Sequence, residues 1–292
     1  MPRGVPAKGF RMTKNAIARQ NGQAILDKIV PTVAVSTETD AEIDARLRDR
    51  FEILDELTKA ALFGNARAVI VSGPAGLGKS FTVERALAEW DPDQINHTIV
   101  KGYVKPTGLL RLLYQYREPG QVIVFDDADT VFYEDTSLNL LKAVCDTTEM
   151  RRVSYMAESN MVDEDSGEKI PRSFLFEGTI LFITNLDMDA MVDKGHKLAP
   201  HLQALVSRSH YIDLAMKTRR DYIVRIKQVI AEGMLRQQGL TPDQEQQVLD
   251  YVVDNQDRLR EVSLRIAVKI GNLVKMGGDW KRLANVTCLK NQ

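Results

Sequence analysis

Residues Ala68 to Ser80 read AVIVSGPAGLGKS, and the fold turns on them. The β-branched, apolar run Ala68–Val71 is bounded by glycine, the pattern of a short buried strand. Gly73, Gly78, Lys79 and Ser80 then stand in the spacing G-x-x-x-x-G-K-S, and Phe81–Trp90 continues as a helix that opens directly on the loop. Glycines there free the backbone to wrap its N–H groups around phosphate oxygens, and a helix N-terminus adds partial positive charge. Gly73, Pro74, Ala75, Gly76, Leu77, Gly78, Lys79, Ser80 and Phe81 are therefore expected to cradle a nucleoside triphosphate. Lys79 is expected on the β- and γ-phosphates, and the Ser80 hydroxyl on Mg²⁺.

Upstream, Ser36–Asp40 offers N-cap residues for a long helix whose apolar stripe runs Ile43, Leu47, Phe51, Leu54, Leu57, Leu62. Downstream, a strand is expected at 97–103 and a helix from Pro106 to about Arg117. Gln121-Val-Ile-Val-Phe-Asp-Asp127 reads as another buried strand whose end projects carboxylates at the nucleotide. Asp126 is expected in the Mg²⁺ shell, and Asp127 to orient and deprotonate the attacking water. Asp129 stands nearby as a supporting carboxylate or a helix cap. After a helix at about 136–148, residues 151–176 have apolar flanks around an acidic tip, the pattern of a β-hairpin or an ordered loop pair. Gly178–Asn185 is a further buried strand, with Asn185 placed for the γ-phosphate or the water. Arg208 precedes a last short strand, 210–214, where it is either a surface charge or a finger reaching a neighbouring subunit's nucleotide. Beyond about Met216 the pattern is wholly helical, at 217–238, 241–256, 261–276 and 279–290. Arg265 stands near the start of the third of these, where it could reach the γ-phosphate.

The chain has 292 residues and a net charge of −1, so contact with nucleic acid would have to come from local patches. One such patch is the arm 1–24, with Arg3, Lys8, Arg11, Lys14 and Arg19 and no acid. It reads either as a solvated tail or as a phosphate-contacting segment. No apolar run approaches a membrane span, and neither Cys145 and Cys288 nor the 4 histidines have metal-site spacing. A cytoplasmic protein, bacterial or in an infected host, is expected.

With these residues in hand, the chain resembles the AAA+ family of P-loop ATPases over about 35–290. GPAGLGKS resembles Walker A, VIVFDD Walker B, and Thr184-Asn185 sensor 1; Arg208 resembles the arginine finger and Arg265 sensor 2. The Asp at 127 departs from the family's usual Glu. The resemblance implies an α/β P-loop sheet in strand order 5-1-4-3-2 with flanking helices, then a small all-α lid. The expected boundaries are the arm 1–24, the nucleotide-binding domain 25–215 and the lid 216–292. It also implies ATP and Mg²⁺ as cofactors and assembly into a ring or spiral, commonly a hexamer. The hairpin before the sensor 1 strand is similar to the branch that holds the Holliday-junction motor and viral replicative helicases, and the DDAD…VF sequence to bacteriophage ATPases. The expected activity is ATP hydrolysis driving work on DNA or nucleoprotein, with the 151–176 hairpin as an alternative protein contact. Two other readings stay open: a protein remodeller using Tyr103 in Lys101–Val104 as a pore residue, and a slow ATP-gated switch.

Overall fold

A computed structural model describes residues 38–156, 161–163 and 167–290. The basic arm 1–24, residues 25–37, residues 157–160 and 164–166 within the expected hairpin, and residues 291–292 lie outside the described residues.

Helix α1 (Asp40–Leu62) starts where Thr39 and Glu42 form a capping box, and it buries Ile43, Leu47, Phe51 and Leu54. Strand β1 (Ala68–Ser72) leads through the glycine loop into α2 (Lys79–Trp90). There follow β2 (His97–Lys101), α3 (Pro106–Gln115) and β3 (Val122–Asp126). A 3-10 turn (Asp129–Phe132) precedes α4 (Asp135–Val144). Then β4 (Arg152–Ser154) and β5 (Ser173–Leu175) pair antiparallel. Next come β6 (Thr179–Thr184), α5 (Met188–Asp193), α6 (Ala199–Val206) and β7 (His210–Asp213). The rest is helical: α7 (Arg219–Ala231), α8 (Met234–Gln237), α9 (Pro242–Asp254), α10 (Leu264–Met276) and α11 (Trp280–Cys288).

The 5-stranded sheet runs β2-β3-β6-β1-β7, every pair parallel. Leaving out the β4–β5 hairpin, this is the expected order 5-1-4-3-2. Strand periodicity sorts the side chains to two faces. Ile70, Ile123, Phe125, Ile180 and Phe182 pack in a core with α3, α4, α6 and the hairpin. Val69, Val71, Val122, Val124, Leu181 and Ile183 pack on the other face against α1 and α2. Phe125 and Phe182, opposite each other in register, stack with ring centroids 5.3 Å apart.

The expected hairpin forms. Val153, Ile170, Phe174 and Phe176 anchor it in the core, and Asp163 is buried, accepting from Gln115 Nε2 at 2.9 Å. Arg151, just before β4, is buried and donates to Val144 O at 2.9 Å and Gly178 O at 2.8 Å. The helix expected over 217–238 is broken, because Gly233 sits at φ 94 and separates α7 from α8. The helix expected from 261 starts instead at Leu264, where the Ser263 side chain caps it. Helix α5, which the sequence did not announce, is nucleated by Asp187 accepting from Ala190 N–H at 2.8 Å. Cys145 and Cys288 are free and buried. No helix among the described residues is long and apolar enough to cross a membrane.

The C-terminal helices keep a core of their own around Ile230, Leu235, Val248, Ile270 and Trp280. They meet the sheet domain through a small cluster, Ile43, Leu47 and Val224, and through polar contacts. Chief among the latter is Arg46 Nη2 on the buried Asp221 Oδ2 at 3.0 Å. Burial pushes the Asp221 carboxyl up, but the Thr218 hydroxyl, the Lys217 N–H and Arg46 outweigh it and hold the group below the usual carboxylate range.

Candidate nucleotide site

Sheet register decides which side chains meet at the strands' C-terminal ends. Ser72 of β1 lies opposite Thr184 of β6, Ile183 of β6 opposite Asp126 of β3, and Asp126 opposite Lys101 of β2. Residues far apart in sequence thus reach one level beside the glycine loop, and a slip of one residue would turn them to opposite faces.

Lys79 is the first residue of α2, and Gly78 at φ 95 makes the turn into it. Its buried ammonium donates to Gly73 O at 2.5 Å, Pro74 O at 2.9 Å and Asn185 Oδ1 at 2.9 Å. Burial pulls it down to about 8, against the upward pull of Asp127 and Asp126 and with some further lowering by Arg265. The Asn185 amide also donates through Nδ2 to Asp127 Oδ1 at 2.6 Å, so one side chain joins the lysine to the carboxylate. Asp127 has a left-handed backbone, φ 53, which Asp tolerates better than most side chains at a cost on the order of 1 kcal/mol. Its N–H donates to Ile183 O at 3.0 Å, fixing the turn that aims the carboxylate at Asn185.

Ser80 Oγ donates to Asp126 Oδ1 at 2.8 Å. The hydroxyl and the buried carboxylate are paired hard oxygens, the donor set from which Mg²⁺ takes one or two protein ligands and completes its shell with water and phosphate. Lys101, which sequence reading did not place here, contacts Asp126 Oδ2 at 3.0 Å and Glu84 Oε1 at 2.8 Å. Hydrogen bonds to Glu84 and Asp126 push its ammonium well above the usual lysine range. Burial raises the Asp129 carboxyl, although Thr184 Oγ1 donates to it at 2.6 Å and pulls the other way.

The helical region closes directly on the loop. Leu264 N–H donates to Gly76 O at 2.8 Å, and a Cβ on Gly76 would stand 2.7 Å from Ser263 Cβ, so only glycine permits this approach. Arg265 is exposed in the first turn of α10, near enough for its charge to act on Lys79. Arg225 of α7, one of several basic residues of the helical region to which the sequence assigns no role, reaches Leu77 O at 3.4 Å.

The sheet therefore brings together Lys79, Ser80, Asp126, Asp127 and Asn185, with Arg265 beside them. Arg208 is elsewhere: it is half-buried beyond α6 and donates to Ala204 O at 2.8 Å. The Phe81 ring is exposed on α2. Lys101 carries no signal of its own in the sequence, because the expected strand runs on to 103 whereas β2 ends at Lys101 itself. Arg225 carries no motif, and only tertiary packing reveals it.

The parallel sheet with a glycine loop between its first strand and helix defines a P-loop NTPase fold. No family model matches the chain. It is 38% identical over 250 residues, 85% of this chain and 76% of the other, to the "Uncharacterized 36.7 kDa protein in nrdC-mobD intergenic region" of Enterobacteria phage T4. The chain belongs to the family of that phage protein. Similar solved structures include NtrX from Brucella abortus in complex with ADP, at 16% identity and TM-score 0.45, covering 93% of this chain and 58% of that one. Another is the Holliday junction branch migration motor RuvB of Thermotoga maritima, at 15% identity and TM-score 0.45, covering 85% and 65%. The chain thus spans less than two thirds of the length of either solved chain.

Proposed function

We propose that the chain is an ATP hydrolase of the AAA+ type, working at subunit interfaces of a ring or spiral, commonly six-membered, and acting on DNA or nucleoprotein. The observation that carries the reading is the Asn185 amide joined to both Lys79 and Asp127, beside the Ser80–Asp126 oxygen pair. Lys79 and the N–H groups of Gly73–Ser80 hold the phosphates, and the Ser80 and Asp126 oxygens hold Mg²⁺. Bound there, Mg²⁺ supplies charge to offset that developing on the β- and γ-phosphate oxygens. Asp127 takes the proton of the attacking water, which Asn185 orients. The sheet domain, ending at about 215, is the catalytic body and the helices that follow are the lid, with Arg265 reading the γ-phosphate. Arg208, bonded to Ala204 O and to no loop residue among those described, serves a neighbour's nucleotide.

The lysine gives this reading a pH signature. Free Lys79 titrates near 8, and bound phosphates stabilise its charged form, so binding above that pH must take up a proton. ATP affinity is expected to be flat below pH 8 and to weaken by roughly tenfold for each further unit. Isothermal titration in buffers of different ionisation enthalpy checks both the slope and the proton uptake.

The DNA assignment draws on the basic arm and on exposed Arg152, Arg172, Lys227, Arg258, Arg260 and Lys269. Two further arginines of the helical region are engaged within the fold: Arg219 donates to Gln256 O, and Arg220 pairs with Asp40. Steady-state ATP hydrolysis, with and without single-stranded and duplex DNA over a salt titration, tests it. Stimulation by DNA that collapses with salt is the expected result. A rate indifferent to DNA at every salt concentration rejects the DNA target. That outcome would favour a protein target, for which Tyr103, 64% exposed just beyond β2, is the supporting observation.

A further inference from the structure

Most arginines that join the helices to the sheet domain have an acidic partner. Arg46 pairs with Asp221, Arg48 with Asp44 and Glu232, and Arg220 with Asp40. Arg225 differs. It is 6% exposed, and no carboxylate among the described residues lies within ion-pair distance of it. Its guanidinium carbon sits 3.4 Å from the centroid of the Phe51 ring, Nη1 donates to Gln228 Oε1 at 3.2 Å, and Nε reaches Leu77 O at 3.4 Å. Nη2 is 3.8 Å from where a Cβ on Gly78 would stand. Gln228 Nε2 in turn donates to Asp44 O of α1 at 2.7 Å.

A buried guanidinium with no carboxylate in contact is costly, and an aromatic face with neutral acceptors offsets that cost only in part. Burial lowers the group to about 10, against an upward pull from the more distant Glu232 and with some further lowering by Arg48, and it stays charged at neutral pH. The segment this charge touches, Leu77–Gly78, lies within the glycine loop, where the preceding reading puts phosphates.

We propose that Arg225 is a positioning residue for phosphate binding, its charge completed by the nucleotide's phosphates, so that loading the loop draws α7 tighter against both the loop and α1. The proposal rests on the P-loop reading above. Phosphate occupancy then reaches the helical region through a side chain buried behind the loop, independently of Arg265 on its exposed side. The link runs on to α1 through Phe51 and through Gln228 to Asp44.

The test is Arg225→Met, which keeps length and apolar bulk but loses the charge, compared with Arg225→Lys and with the intact protein. Equilibrium affinities for MgATP and MgADP and the thermal shifts each nucleotide produces are measured on the full chain. MgATP is expected to bind Arg225→Met about tenfold more weakly, consistent with loss of one charged interaction, with MgADP losing less because it carries less charge. Arg225→Lys should stay within about threefold of the intact protein for both. Equal weakening of ATP and ADP in Arg225→Met would mean a merely structural role and overturns the proposal, as does unchanged binding of both. Should Arg225→Met fail to fold, Arg225→Gln, which keeps a donor for Leu77 O without the charge, carries the same comparison. If the intact protein shows no nucleotide-dependent shift, or Lys79→Ala shifts as much, the P-loop reading itself fails and takes this proposal with it.

Discussion

Lys79→Ala is expected to lose MgATP binding, by about a hundredfold or more, while the fold stays intact. The size follows from the ammonium's expected place on two phosphate groups, since a hydrogen bond to a charged partner is worth ~1.5–3 kcal/mol and two such bonds are removed. The intact fold follows from what holds the ammonium in its absence: the carbonyls of Gly73 and Pro74 and the Asn185 amide, with no carboxylate bonded to it directly. Burial lowers the folded-state pKa to about 8, so the protein stabilises the charged form less well than water does. For a base depressed in this way, the penalty is fully present below about pH 8 and fades as pH rises toward the unfolded value of 10.5. Removing Lys79 should therefore raise, or at least preserve, thermal stability at pH 7, and the gain should shrink at pH 10. Thermal unfolding at both pH values, beside equilibrium ATP binding, measures the two effects separately. A Lys79→Ala protein that binds ATP within about threefold of the intact chain would put the nucleotide somewhere other than this loop.

Arg208→Ala is expected to do the converse, sparing ATP binding and lowering turnover by about a thousandfold. Within its own chain the guanidinium only closes a hydrogen bond to Ala204 O at the end of α6, so the stability change should stay near ~1 kcal/mol. An arginine acting across an interface also predicts complementation. Mixing Arg208→Ala with Asp127→Asn subunits should restore part of the rate. The first supplies an intact Asp127 and the second an intact Arg208, and only mixed interfaces hold both. Steady-state hydrolysis over a range of mixing ratios reads this out. Full activity of pure Arg208→Ala would remove the residue from the mechanism.

The sheet was legible because its strands are short, apolar and β-branched, and because G-x-x-x-x-G-K-S names the loop's chemistry. Asp126 and Asn185 could be placed in advance, since strand ends next to a P-loop project toward it. Other features depended on facts no local pattern carries. The left-handed turn at Asp127 depends on its N–H finding Ile183 O. Lys101 matters only because β2 lies next to β3 in register. Arg225 reads as one more basic residue on a helix until packing sets it on Phe51. Glycine was foreseen at 76 as a loop former, whereas its further role, admitting Ser263 at close range, belongs to chain segments almost two hundred residues apart. The break at Gly233 was visible as a residue but not as a boundary, because an isolated glycine inside a helical pattern is often tolerated.

The C-terminal helices hold a core separate from both faces of the sheet, and among the described residues the apolar contacts between the two parts are few: Ile43, Leu47 and Val224 with Met216, and Tyr222 against the sheet core. A joint of this composition is expected to give as a hinge rather than part as a fracture plane. Bending that kept the Arg46–Asp221 pair and the Arg225–Phe51 contact as its pivot would exchange a few outer hydrogen bonds, each worth ~1 kcal/mol, and would leave both cores packed. Rearrangement at that joint is therefore expected to be decoupled from unfolding, so that a change of angle between the two parts would leave the protection of both cores against hydrogen exchange unaltered.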